Sequence, residues 1–136
     1  MIIPQILSIL FALVFAAQNA PTVNKFEVLG ASAREMAVFH RYGWWTKLFF
    51  CLAAGSAGWP QFDKISLITG LSGLWVYLLF DIALNRLRSP KRAWDYLGLN
   101  DADGRFWNGV FGQLGGKIKA CVLFAAIVII NLLSHA

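Results

Sequence analysis

The apolar residues of this chain are concentrated in four blocks, and the polar stretches between the blocks hold nearly all of its charge. Of the 136 residues, 58% are hydrophobic and 14% are charged, whereas a soluble domain is about 45–50% apolar and about 25% charged. An excess gathered into blocks is typical of membrane proteins, because a helix needs about 20 apolar residues to cross a bilayer. No block alternates with the period of two that an outer-membrane strand shows.

We therefore predict an all-α integral membrane protein with one membrane domain, residues 1–136, and four transmembrane helices. The first block is short and resembles a secretory signal peptide in length. Met1 is followed by no Lys or Arg, so the positive region of a signal is missing, and retention as a helix is favoured. The predicted spans are 2–17, 44–59, 65–85 and 118–134.

The second block has the aromatic ends of a membrane span. Trp44 and Trp45 open it and Trp59 closes it, as expected of side chains that anchor a helix at the two interfaces. Lys47 lies just inside the block, and we expect its long side chain to reach outward to the headgroups.

The positions of Lys and Arg predict the orientation of the spans. All but one of the 12 positively charged residues lie in or beside the connections 18–43 and 86–117. The exception, Lys64, precedes the third span. The positive-inside rule then places both connections in the cytoplasm and both termini outside, in the cell (inner) membrane.

Each cytoplasmic connection has an amphipathic pattern, so we predict one or two interfacial helices. Residues 24–42 either lie on the membrane surface or extend the second span as one long helix; the alternative, which we favour, is a solvated helix end that packs on its neighbours. In the second connection, Asn100 or Asp101 can cap a helix that runs to about Lys117.

The second connection begins with a polybasic exit from the third span and contains recurring glycines. The positive side chains either bind anionic lipid headgroups or only fix the topology; they are Arg86, Arg88, Lys91 and Arg92. Glycines weaken a helix, so their recurrence favours close approach by a neighbouring helix; they are Gly109, Gly112 and Gly116.

Small and polar residues recur every four positions along the third span and end near its cytoplasmic side. An ionisable group at that depth must face protein or water. The stripe therefore either lines a water-filled pathway or forms a helix–helix seam in which the acid pairs with Arg86, Arg88 or a basic residue of the first connection. The stripe comprises Thr69, Gly73, Tyr77, Asp81 and Asn85.

No catalytic or metal-binding set can be assembled from the sequence, so we expect neither an enzyme nor a cofactor. The predicted topology puts His40 and His135 on opposite sides, and two cysteines do not make a zinc site. The positive residues flank apolar spans rather than forming a basic domain with interleaved aromatics, which argues against nucleic-acid binding and favours membrane lipids as partners.

The third span ends in Asp81-x-x-x-Asn85, and a basic turn, Tyr96-x-Gly98 and Arg105 follow. This pattern resembles that of a group of small membrane proteins from Bacteroidetes and from their phages and prophages, in which a span ends in Asp-x-x-x-Asn and a basic turn, a Tyr-x-Gly and an Asp-Arg pair follow. Here Gly104 precedes the arginine and Asp103 lies one residue earlier. The resemblance implies a bacterial or phage source and no particular activity.

The sequence thus favours a small polytopic membrane protein that acts by assembly, as a homo-oligomer or as a structural or accessory subunit of a larger membrane complex. An oligomeric pore, either an ion channel or a phage lysis protein of the holin type, is the alternative, and a membrane-bound enzyme is a third.

Overall fold

The protein is all-helical in the part of the chain that the computed structural model describes, residues 2–30, 32–56, 62–89, 92–97 and 102–134. A 3-10 turn, Gly112–Leu114, separates the last two helices. The helices are α1 (Ile2–Leu29), α2 (Ala33–Ser56), α3 (Phe62–Arg88), α4 (Ala102–Phe111) and α5 (Gly115–Leu133).

Three helical stretches are long and apolar enough to cross a membrane: Ile2–Phe26, Lys64–Arg88 and Asp103–Leu133. They contain the predicted first and third spans and all but the last residue of the fourth. The first extends well past residue 17, because Pro21 and the polar residues around it do not end α1. The predicted second span, 44–59, falls on α2, which is not among these stretches, and its residues 57–59 lie outside the described part of the chain.

The last of these stretches reverses direction before it can cross a bilayer. Residues 103 and 119 would lie about 24 Å apart in a straight helix, yet Lys119 forms an ion pair with Asp103. The reversal occurs at Gly112, whose φ of 59° is left-handed. The interfacial helix predicted to reach Lys117 therefore ends at Phe111, and α5, about 28 Å long, is the part that matches the hydrocarbon thickness.

Helix α3 lies at the centre of the bundle, and α1 packs on it through a face of small residues. Positions four apart share one face of a helix, and small side chains on that face allow two helices to approach closely. The buried residues of this α1 face are Ser8, Ala12, Ala16 and Ala20.

The other helices contact α3 on separate sides. In α5, Leu123 and Ile127 pack against Leu71 and Leu78 of α3 to form a buried cluster. Helix α2 approaches α3 where a Cβ on Gly55 would overlap the Thr69 side chain. Among the described residues, no Cα atom of α2 lies within 8 Å of one in α5.

The predicted amphipathic segment 24–42 is divided between α1, which ends at Leu29, and α2, which begins at Ala33. Gly30 has a φ of 70°, and its N–H donates to the carbonyl of Phe26, 3.1 Å away, an arrangement common at helix C-termini. Ser32 and Glu35 then form a reciprocal capping box that starts α2. The second half of the segment is thus the first half of one long α2, which continues into the predicted second span.

The outer surface of the bundle is unusually apolar. Soluble monomers rarely expose contiguous apolar patches beyond a few hundred Å², whereas here whole helix faces are apolar. Such a surface suits contact with lipid. The exposed side chains include Ile3, Ile6, Leu10 and Val14 of α1, Trp44, Phe49 and Leu52 of α2, and Val122, Phe124, Ile129 and Leu132 of α5.

Candidate functional site

Lys119 is the centre of a charged cluster between three helices. Its side chain is only 4% exposed. The ammonium Nζ lies 2.6 Å from Oδ2 of Asp81 on α3 and also donates to Oδ2 of Asp103 on α4. A buried cation is stable only if its desolvation is offset by nearby opposite charge, and Lys119 has two carboxylates. The partner of Asp81 is therefore Lys119 of α5, which was not among the expected partners.

Tyr77 completes this cluster, one helical turn before Asp81 on α3. Its hydroxyl donates to Oδ1 of Asp103, and its ring lies 3.9 Å from the Lys119 ammonium. A cation over an aromatic face is attracted by the ring quadrupole. We call Tyr77, Asp81, Asp103 and Lys119 the charged cluster.

Lys47 of α2 brings a second cation close to the charged cluster. Its ammonium lies 3.6 Å above the ring centroid of Phe80, the residue that precedes Asp81. The charges of Asp81 and Asp103 attract it and that of Lys119 repels it. The predicted outward reach of Lys47 to the headgroups is thus replaced by an inward contact with α3.

The polar stripe on α3 does not face a single neighbour. Four-residue steps on an α-helix drift by about 40° each, so the stripe turns by about 160° between Thr69 and Asn85. Thr69 faces α2 through Gly55, while Tyr77 and Asp81 contact α4 and α5. The residues of the stripe therefore contact different helices, one after another along α3.

Asn85 fixes the segment that follows α3. It is 4% exposed, and its amide donates to the carbonyls of Trp94 and Tyr96, at 3.1 and 2.7 Å. A cavity of about 20 Å³ lies between this segment and the charged cluster, lined by Asp81, Asp95 and Lys119 among others. That volume is enough for one water molecule.

The described helices leave one sector of α3, between α2 and α5, partly open. Residues 70, 73, 77 and 81 fall within about 80° of the helix surface. A Cβ on Gly70 or Gly73 would meet no described atom within 4 Å. Tyr77 is 38% exposed, and the Asp81 side chain is 33% exposed. The floor of this open sector, which we call the α3 groove, is glycine at one end and charged at the other.

The basic residues after α3 have different surroundings. Arg86 is exposed. The Arg88 guanidinium donates to Oδ1 of Asn24 on α1, 3.2 Å away, and that of Arg92 lies 4.7 Å from the Tyr96 ring. Lys91 lies outside the described residues. Binding of lipid headgroups by these residues stays a prediction.

The three glycines predicted to pack against a helix also differ. A Cβ on Gly116 would overlap the carbonyl oxygen of Asp95, so its close neighbour is a connecting segment. Gly112 forms the reversal, and a Cβ on Gly109 or Gly112 would meet no described atom within 4 Å. Packing at Gly109 and Gly112 stays a prediction that requires a second chain.

A second polar contact joins three helices at the far end of the bundle. Gln5 of α1 donates to Asn131 of α5 at 2.8 Å and accepts a hydrogen bond from the Trp75 indole of α3 at 2.9 Å. The sequence interpretation missed this site, although a Gln and an Asn inside apolar blocks indicate hydrogen bonding between helices.

Within the described parts of the chain, no three His, Cys, Asp or Glu side chains come together in a group that could hold a metal ion. In comparisons with protein-family models, curated proteins and solved structures, none matched this chain.

Proposed function

We propose that this protein is an integral membrane protein with four crossing helices, which acts by assembly as a structural or accessory component of a membrane complex. The observation that carries the proposal is the ion pair between Asp81 and Lys119. This pair engages one carboxylate oxygen of the central helix in a contact between helices, which supports the seam interpretation of the stripe.

The position of α2 supports a fourth crossing. Its residues contact α3 in reverse order, from Lys47 beside Phe80 to Gly55 against Thr69. The Phe50 ring stacks on that of Phe11 of α1 with centroids 4.0 Å apart. An α2 that runs antiparallel between these levels passes through the same depth as α1 and α3. Its Lys47 is directed toward the Phe80 ring of α3.

The proposed orientation has both termini outside, in the cell (inner) membrane. The two basic connections meet at one end of the bundle, since Asn24 contacts Arg88 and the Phe26 ring packs edge-on to Phe39. One basic end is what the positive-inside rule requires of the cytoplasmic side. Anionic headgroups are the partners proposed for the exposed basic residues there.

Assembly is supported by the extent of apolar surface on α1, α2 and α5 and by the open space at Gly109 and Gly112. The test is the mass of the purified protein in detergent, measured by light scattering after size exclusion. We expect a defined oligomer of this chain or a stable complex with other subunits. A monomer at every concentration, extracted without partners, would contradict the proposal.

The pore alternative is tested in liposomes made with the same protein. We expect no ion flux above that of empty vesicles, and no change with Asp81→Asn beyond lost stability. Flux that falls when Asp81 becomes Ala would instead establish a pathway. Abrupt growth arrest on expression would point to a lysis protein of the holin type.

A further inference from the structure

The α3 groove has the dimensions of one membrane leaflet. From Gly70 to Asp81 the helix rises about 16 Å, and half of a hydrocarbon core of roughly 30 Å is about 15 Å. The groove floor changes along this length from bare backbone at Gly70 and Gly73 to the Tyr77 ring and then to a carboxylate. Such a groove is apolar where acyl chains lie and charged where headgroups lie.

The charged end of the groove has one unpaired atom of each sign. Among the described residues, no carboxylate lies within salt-bridge distance of Lys47, whose ammonium lies over the Phe80 ring. Asp81 uses Oδ2 for Lys119, and no described donor reaches its Oδ1. An ammonium and a carboxylate oxygen near the membrane interface are costly unless a partner of opposite charge meets each of them.

We propose that the α3 groove binds one phospholipid of the phosphatidylethanolamine type. Its phosphodiester binds the ammonium of Lys47, its own ammonium donates to Oδ1 of Asp81, and one acyl chain lies along Tyr77, Gly73 and Gly70. This proposal rests on the proposed membrane location and adds a specific ligand to it.

Charge complementarity favours this occupant over the other candidates. A water-filled groove would leave Lys47 without an anion and would place water against the glycine backbone at the depth of the acyl chains. A second copy of the chain would have to supply both a carboxylate and a cation at one level. The phosphatidylethanolamine headgroup supplies both charges in one small group, and its acyl chain extends toward the glycine end of the groove.

The test uses the full chain in bilayer nanodiscs that contain equal amounts of phosphatidylethanolamine and phosphatidylcholine with identical acyl chains. Native mass spectrometry counts the lipids retained after release. We expect one retained lipid per chain, with the ethanolamine lipid favoured about ten-fold, since choline has no N–H to donate to Asp81. Lys47→Met should abolish retention of both lipids, and Lys47→Arg should restore it.

Arg41→Gln is the matched control, because it removes an exposed cation from the same helix, and its retention should equal that of the wild type. Equal retention by wild type and Lys47→Met would overturn the site, and equal retention of the two lipids would overturn the role of Asp81. All three variants, Lys47→Met, Lys47→Arg and Arg41→Gln, should remain in the membrane fraction with the wild-type oligomeric mass. Loss of membrane insertion or assembly in the wild type itself would instead contradict the proposed function.

Discussion

Lys119 of α5 lies 2.6 Å from Asp81 of α3 although its own side chain is almost fully buried. It also bonds Asp103, so one ammonium joins the central helix, α4 and α5. Removal of one partner from a buried ion pair leaves an uncompensated charge, which is far more costly than the pair is stabilising. The effects of substitution should therefore differ between the members of the cluster.

Lys119→Met should be the most destabilising change in the charged cluster, because it removes the one ammonium that donates to both carboxylates. We expect a loss of about 3–5 kcal/mol in the free energy of unfolding in mixed micelles. Asp81→Asn should cost less, since Asp103 still neutralises Lys119. Lys117→Met, at an exposed neighbouring position, is the control and should be close to neutral. Equal stability of the Lys119 and Lys117 variants would contradict the arrangement.

Gly116→Ala should disrupt the contact between α5 and the segment after α3. The added methyl group would overlap the backbone of Asp95, which cannot move as a side chain can, so we expect a loss of about 1–3 kcal/mol. Gly109→Ala is the matched control. It meets no described atom in a single chain, so its higher helix propensity should stabilise α4 by about 0.5–1 kcal/mol. Thermal unfolding of both variants in detergent measures the difference.

The same control also examines the predicted packing at Gly109. If a second chain approaches that residue closely, Gly109→Ala should weaken the oligomer while it leaves the fold of each chain intact. Light scattering separates that outcome from simple stabilisation, and an unchanged oligomer would remove Gly109 from the predicted interface.

Apolar periodicity and charge predicted much of the fold, because they report directly on which residues avoid water. The predictions placed α3 well and placed most of α5. The predicted first span ended too early. Asn19 and Asn24 lower the hydropathy of the sequence after residue 17, but α1 continues through both of them. The reversal at Gly112 was not predicted, because a sequence does not distinguish a glycine with a left-handed φ from a glycine that allows close helix packing.

The charged cluster was predicted only in part, because a pattern on one helix does not say which helix lies opposite. Asp81 stood out as an acid within a span. Lys119 was interpreted as a topology signal, although it lies inside the fourth apolar block, where a cation also requires a partner. The sequence has an acid, Asp81, in the third apolar block and a base, Lys119, in the fourth. This combination would have predicted that the two side chains are in contact.

The polar contact at the opposite end should contribute less than the charged cluster does. Double substitution cycles of hydrogen bonds between membrane helices average about 0.6 kcal/mol and reach about 1.7 kcal/mol. We expect a coupling of about 1 kcal/mol between Gln5→Leu and Asn131→Leu, measured from unfolding in mixed micelles. Trp75 loses its acceptor in the Gln5 variant alone, so Gln5→Leu should be the more destabilising single change. Additive effects would show that the hydrogen bond contributes nothing.

The start of α2 should become less ordered in acid. The side chain and backbone of Ser32 donate hydrogen bonds to the Glu35 carboxylate and lower the pKa of Glu35 below its ordinary value. A group whose pKa is lower in the folded state stabilises that state above its unfolded pKa, and the contribution is lost as the pH falls through the folded pKa. We therefore expect amide exchange at residues 33–36, corrected for its intrinsic rate, to increase below about pH 4. Glu35→Gln keeps an acceptor but cannot titrate, so its exchange in this window should not change with pH. If the variant showed the same acid transition as the wild type, a different group would be responsible.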